Sequence, residues 1–508
     1  MKTPRFQISI VTAVAVGTLI LICSADARPK KTFARRSIHA EDSSTAVELK
    51  MRVAGKATQL PNEKALARRE QPQVTSYPRY RLIDLGTLGG PNASVWGIGV
   101  QLNNRGEVIA QLGTAVPDPY NPNCLADDCF IWHGAVGQTN GTITDLGALP
   151  GVNHSVPVCI TERGLIAGIS QNSLIDPLTS FPQVRAVLWN RDRSIVDLGT
   201  LGGNSSQGFA ANNRGQVVGV ALNDTPENPD FAGFMNDLGG VLPAAQQVRA
   251  FLWQNGSMQD LGTLGGNDAS ATMINERGQI AGCSFTNTTP NDTTGIPTVH
   301  PFLWSNGTMQ DLGSLGGTLA VIGSFNLWTT GQVLNDFGEV IGTSTLDADE
   351  AWHAFVWSNG RMIDLGTFGG SSSEATAINN KGQVLGRAIV TDTPLVRHAF
   401  LWEKGQMTDL GAVAPCTRST AIGINSANQI VGSLGGCTVD PSDPAYFSAF
   451  YMEKGKPMVD INTLITPASD IHLDGAWNIN NRGEILANGF LPDGSGRVAL
   501  LVPIPSGH

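Results

Sequence analysis

Two histidines in this chain stand where acid–base chemistry could be done. His154 and His472 each precede a short apolar stretch and lie outside the recurring His-Ala-Phe trio of the chain. An imidazole so placed, joined by a tyrosine or carboxylate from elsewhere, is the equipment of a glycan lyase or hydrolase acting on a shared axis. Surface histidines are the simpler reading, so no residue is assigned as catalytic. A second chemistry belongs to aromatic side chains in long irregular segments: Tyr120, Phe231, Trp328, Trp352 and Tyr446, with Phe181, Phe234, Phe285, Phe325 and Phe447 beside them. Rings in loops stack on sugars or peptides, or else pin their own loops.

Carboxylates are abundant but repetitive. The tripeptide Asp-Leu-Gly recurs at Asp84, Asp145, Asp197, Asp260, Asp311, Asp364 and Asp409, with Asp460-Ile461-Asn462 as a degenerate copy. A group present once per repeat is expected to accept hydrogen bonds in a turn rather than to act as a unique acid. Asp347-Ala348-Asp349-Glu350 and the run from Asp224 to Asp230 match no calcium-loop spacing. No Cys/His spacing suggests zinc, so neither metal nor cofactor is expected. The glycine-rich "GTLGG" after each Asp-Leu-Gly leads into no helical pattern, which argues against a phosphate loop.

Six cysteines follow the N-terminal apolar segment. Cys124 and Cys129 share one loop, while Cys416 and Cys437 are equidistant from Ser426-Ala427, so a hairpin would bring them face to face. Both pairs are expected to be disulfides; Cys159 and Cys283 are expected to be buried thiols.

These residues must be positioned by a repeat of about fifty residues. Each copy holds a small alternating strand such as 375–379, an Asn-x-x-Gly turn, a second strand such as 383–388, a variable loop, an apolar strand such as 399–402, and a tight turn into a fourth strand ending in Asp-Leu-Gly. The turn glycine is replaced once, by Asn428, the side chain that best tolerates positive φ. The pattern predicts an all-β chain of four-stranded antiparallel meanders stacked as a β-propeller. Strand 80–86 joined to strands 476–504 completes an eighth blade and closes the ring, with seven blades or an open solenoid as the alternatives. In this scheme "FIW" at 130–132 is a loose copy of the apolar strand, which makes Trp132 a core residue like Trp189, Trp253, Trp304, Trp357 and Trp402. Trp96 and Trp477 fall in first strands near the axis. Short turns emerge on one face. Long loops and crossovers, including an enlarged crossover at 318–332, emerge on the other, the expected binding face.

Residues 1–27 combine Lys2 and Arg5, an apolar run from Ile8 to Cys23, and Ala25-Asp26-Ala27, the marks of a cleaved signal peptide. Sixteen apolar residues fall short of the roughly twenty that span a membrane. Residues 28–78 hold eleven Lys/Arg and five Asp/Glu without apolar periodicity, and read as a disordered basic linker before a domain at 79–508. Beyond residue 78 there are 20 Lys/Arg against 37 Asp/Glu, a net charge of −17 that disfavours nucleic acid.

The trios His353-Ala354-Phe355 and His398-Ala399-Phe400, together with "DLGTLGG" and "INNKGQVLG", resemble the HAF-repeat family of extracellular repeat proteins across 80–503. Arg185, Arg249, His300-Pro301 and Ser448 depart from the trio. The resemblance implies an exported repeat protein and carries over no catalytic residue. Together these observations lead to an exported, non-catalytic binding protein that presents long loops to a glycan, cell-wall polymer or protein, with a propeller lyase or hydrolase as the alternative.

Overall fold

The computed structural model describes residues 77–95, 99–121, 124, 126, 128–177, 180, 182–226, 246–325, 331–438 and 446–505. The expected leader and almost all of the tether lie outside the described residues, as do Trp96, Phe181, Phe231, Phe234 and Trp328. Among the described residues the fold is all-β and propeller-like, with helix confined to short 3-10 turns such as Asp347–Asp349 and Ile461–Leu464. Among the described residues the strands form four four-stranded sheets and two eight-stranded ones. Each eight-stranded sheet is two four-stranded groups joined by a single parallel pair, Val299 with Leu319 or Arg397 with Arg418.

One group shows how the sequence builds all of them. Ser373–Ile378, Val384–Thr391, Val396–Glu403 and Gln406–Gly411 pair as an antiparallel meander. The first strand bulges between Ala375 and Ala377, which swings its backbone over Gly386 of the second. A Cβ at Gly386 would lie 2.1 Å from the Glu374 carbonyl and 2.5 Å from the Phe400 ring, so only glycine fits under both. Phe400 is thereby fully buried, as are Phe251, Phe302, Phe355 and Phe450 at the matching positions. Each such burial contributes about 1.5–3 kcal/mol.

The Asn-x-x-Gly turns do two jobs. The Asn379 side chain accepts from the backbone of Lys381 and Gln383, closing its own turn at 2.9 and 3.1 Å. Asn335, in the preceding turn, donates to the Asn379 carbonyl at 3.2 Å and so ties two groups together. Equivalent bonds run from Asn103 to Thr161, Asn212 to Asn275, Asn275 to Asn335 and Asn425 to Asn480. Asn480 then returns to the Asn103 carbonyl at 2.9 Å, linking the last turn to the first. Asn428 adopts φ 60° where the other copies have glycine, as its side chain led us to expect.

At the chain ends, Arg79–Asp84 lies antiparallel to Gly496–Ile504, from Arg79 opposite Ile504 to Asp84 opposite Ala499. Tyr80 is fully buried there and meets Tyr451 edge-on at 5.9 Å.

Two local expectations are corrected. The apolar strand of the first group is Phe130–Gly137, and its register places His133, not Trp132, at the trio position. Trp132 is therefore half-buried at the strand entrance, matching Trp352 rather than the core tryptophans. The insertion assigned to the crossover at 318–332 instead interrupts a first strand. Ile322 and Leu334 both pair with the Val340–Leu346 strand on either side of it, because the apolar pair Val333-Leu334 resumes the buried face.

Candidate functional site

The repeated carboxylates are fully engaged. In every Asp-Leu-Gly the Asp accepts from the glycine amide two residues on, at 2.7–2.9 Å, and Asp460 accepts likewise from Asn462. The same Asp is clasped by the residue at the head of the trio on the neighbouring strand. His133, His300, His353 and His398 contact Asp145, Asp311, Asp364 and Asp409 at 2.9–3.1 Å through Nδ1. Where the trio departs, Arg185, Arg249 and Arg497 face Asp197, Asp260 and Asp84, and Ser448 donates to Asp460. The trio histidine is thus one half of a strand-to-strand clasp. Sequence reading had missed this pairing; its signal was the constant spacing from trio to Asp-Leu-Gly.

His154 has a carboxylate partner, but the geometry is closed. Its Nε2 donates to Asp118 at 3.0 Å, while its Nδ1 accepts from the Trp132 amide at 3.2 Å, so both ring nitrogens are occupied. Burial holds its pKa below the usual imidazole value against the pull of Asp118, which keeps the ring neutral. His472 donates through Nε2 to the Phe447 carbonyl at 2.8 Å. Tyr120 sits in the turn that Asp118 caps, half-buried, with its amide bonded to Asp118 at 2.9 Å.

Of the other nominated aromatics, Phe231 and Trp328 lie outside the described residues, and Phe285 is core. Trp352 is half-buried and packs edge-on to Phe325, with centroids 5.9 Å apart. Its Nε1 is buried and has no hydrogen-bond partner among the described residues. Tyr446 is 8 % exposed, stands edge-on to Phe447 at 4.8 Å, and accepts from Arg418 Nη2 at 2.9 Å. Both expected disulfides form, Cys124–Cys129 and Cys416–Cys437, and Cys159 and Cys283 are buried thiols. The Cys437 amide donates to the Tyr446 carbonyl at 3.2 Å, so the second disulfide anchors the segment that delivers Tyr446.

Between Trp352 and Tyr446 lies a cluster that sequence reading did not anticipate. Arg387 lies within the Val384–Thr391 strand, Arg397 stands at the start of the next strand, and Arg418 opens the first strand of the following group, paired directly with Arg397. Glu374 faces Arg387 at 2.9 Å and also accepts from the Ser324 hydroxyl, next in sequence to Phe325. Burial would raise the Glu374 carboxyl, but Arg387 and the Ser324 bond hold it below the usual range. Arg397 is pushed down to about 10 by burial and by repulsion from Arg387 and Arg418, which Glu374 offsets only in part. The Nε atoms of all three arginines are buried without a hydrogen-bond partner among the described residues. Buried donors left unpaired are costly, and several in one place mark a site. No single-sequence signal names these residues, because three arginines far apart in the chain read as separate solvated charges.

The short-turn face also carries a concavity. A cleft of about 460 Å³ lies between Gln279, Gln310, Phe337, Glu339, Trp357 and Asn359, roofed by Phe337, which is 62 % exposed with the Arg277 guanidinium 5.4 Å from its ring. Concavity is therefore not confined to the long-loop face.

No protein-family model matches the chain, and no curated protein matches it. Solved structures do. A Mycobacterium tuberculosis puromycin-hydrolyzing peptidase is similar at 12 % identity and TM-score 0.38 over 85 % of this chain and 63 % of its own. Porphyromonas gingivalis dipeptidyl peptidase 4 gives 11 % and 0.43 over 75 % and 56 %. A polysaccharide lyase described as an ulvan lyase gives 9 % and 0.36 over 83 % and 95 %. The chain spans less than two thirds of either peptidase, and likenesses this distant say nothing of substrate.

Proposed function

We propose that this chain is an exported HAF-repeat protein acting as a non-catalytic scaffold, and that its long-loop face binds an extracellular glycan. In this reading residues 1–27 are a signal peptide, 28–78 a basic tether, and 79–508 a propeller of eight four-stranded blades closed by strand 80–86 against 476–504. The hydrogen-bond chain through the Asn turns, returning from Asn480 to Asn103, supports the closed count. The two disulfides fit an extracellular or periplasmic location.

The observation that carries the functional reading is the contrast in occupancy. The repeated carboxylates and both nitrogens of His154 are already engaged, whereas buried donors without partners among the described residues gather around Arg397. Such a site has hydrogen bonds to offer a ligand, and sugar hydroxyl and acid groups accept them. The test is retention of the full chain on insoluble polysaccharide and cell-wall fractions, beside a Trp352→Ala/Tyr446→Ala variant, with soluble sugar release measured in parallel. Retention lost in the variant and no release of sugar is the expected outcome. Release of oligosaccharides would overturn the non-catalytic reading, and no retention on any fraction would overturn the glycan.

A further inference from the structure

We infer that Arg387, Arg397 and Arg418 form a receptor for the acidic groups, carboxylate or sulfate, of a charged polysaccharide. The inference rests on the scaffold reading above and deepens it by naming the ligand class. Three guanidinium groups share this cluster with one carboxylate, Glu374, in a domain whose overall charge beyond residue 78 is −17. The local surplus of positive charge therefore runs against the charge of the whole. Glu374 neutralises Arg387, which leaves Arg397 and Arg418, opposite each other in register, as the surplus pair.

Their buried Nε atoms have no acceptor among the described residues, and an oxyanion that offers two oxygens side by side is the acceptor that a guanidinium fork fits best. Edge-on ring pairs adjoin the cluster, Tyr446 with Phe447 through the Arg418–Tyr446 bond and Phe325 with Trp352 next to the Ser324 that bonds Glu374, and the half-buried Trp352 and Phe447 give apolar surface for a sugar ring. The unpaired Trp352 indole N–H adds a donor for a hydroxyl. An acidic peptide fits less well, because peptides dock on a free strand edge or in an apolar groove. The strand bearing Arg397 is paired on both sides, and at Arg418 itself the edge of the next strand is taken up by the pair with Arg397.

The experiment is titration of the full chain with polygalacturonate, dextran sulfate and neutral dextran, followed by calorimetry and by tryptophan fluorescence. Binding to either acidic polymer, none to dextran, and at least a tenfold loss in Arg397→Gln and in Arg418→Gln are expected; which polymer binds identifies the anion. Because the basic N-terminal segment could itself hold a polyanion, a Lys30→Gln/Lys31→Gln/Arg35→Gln/Arg36→Gln variant is run alongside. Binding that survives Arg397→Gln but is lost in that variant overturns the proposal. Equal binding of dextran by wild type and both arginine variants overturns the acidic class while leaving the scaffold reading intact. Thermal unfolding checks that the variants fold. Should Arg397→Gln not fold, Arg397→Lys keeps the charge and loses the fork, and a wild-type-like affinity in that variant overturns the guanidinium receptor.

Discussion

At the residue scale the chain spends most of its polar side chains on itself. The Asp364 carboxyl shows the pattern: burial would raise its pKa, but the bonds from His353 and the Gly366 amide hold it below the usual range. A carboxylate depressed in the folded state adds stability above its unfolded pKa and loses it as pH falls through the folded value. Asp364→Ala is accordingly expected to cost about 1 kcal/mol at neutral pH and little at pH 2, read by urea unfolding. Most of that cost should vanish in a His353→Ala background. Asp474 behaves in the opposite sense. It is 3 % exposed, its Oδ1 has no hydrogen-bond partner among the described residues, and burial raises its pKa to about 7. Between the ordinary carboxyl value and pH 7 the folded state then binds the extra proton, so this group lowers stability as pH rises through that range. Asp474→Asn is expected to be neutral near pH 3 and stabilising by a few kcal/mol at pH 8. A stability difference that did not change with pH would show that the carboxylate is not buried as drawn.

At the element scale the decisive features are the bulged first strand and the turn that follows it. Gly386→Ala would place a methyl group inside contact distance of Glu374 and Phe400, neither of which can retreat without disturbing the next group. A loss of more than about 2 kcal/mol is expected. Gly360→Ala is the control: φ is +78° and nothing lies within 4 Å, so only the backbone cost of about 1 kcal/mol should appear. Equal losses at the two sites would mean that close packing over Gly386 contributes nothing. The Cys416–Cys437 bridge closes a separation of 21 residues, and replacing both with serine is expected to cost about 3 kcal/mol. It should also loosen the Tyr446 contact to Arg418, since the Cys437 amide holds that segment. A fall in melting temperature together with reduced tyrosine burial would be the signature.

For the whole molecule, the pairing of Arg79–Asp84 with Gly496–Ile504 makes the two ends of the domain one cooperative element. Tyr80 is the anchor, fully buried against Tyr451. Tyr80→Ala is expected to cost about 3 kcal/mol. Amide hydrogen exchange in Gly496–Ile504 should rise together with that in Arg79–Asp84. Continued protection of the C-terminal strand would mean that the N-terminal strand is an ornament rather than a clasp. The domain's net negative charge also matters at this scale. It steers polyanions away from the surface at large, so an acidic ligand must find a place, as at Arg387, Arg397 and Arg418, where guanidinium groups outnumber carboxylates.

Much of this architecture was legible in the residues because it is local. Strand alternation, the Asn-x-x-Gly turn, Asn428 in place of glycine and the facing of Cys416 with Cys437 all depend on neighbours within one repeat, where spacing dictates geometry. The misreadings were local too. Aligning Trp132 on its indole passes over the His133 clasp, and spacing alone puts 318–332 in a crossover although its opening residues belong to the Gly316–Ile322 strand. What only the tertiary structure decided is the company each side chain keeps across repeats. Ser324, Glu374, Arg397, Arg418 and Tyr446 belong to three successive groups and meet because those groups pack side by side. Chain periodicity specifies each group's own strands, but stacking, driven by the burial of the faces between groups, determines which loop ends converge and leave charged donors unpaired.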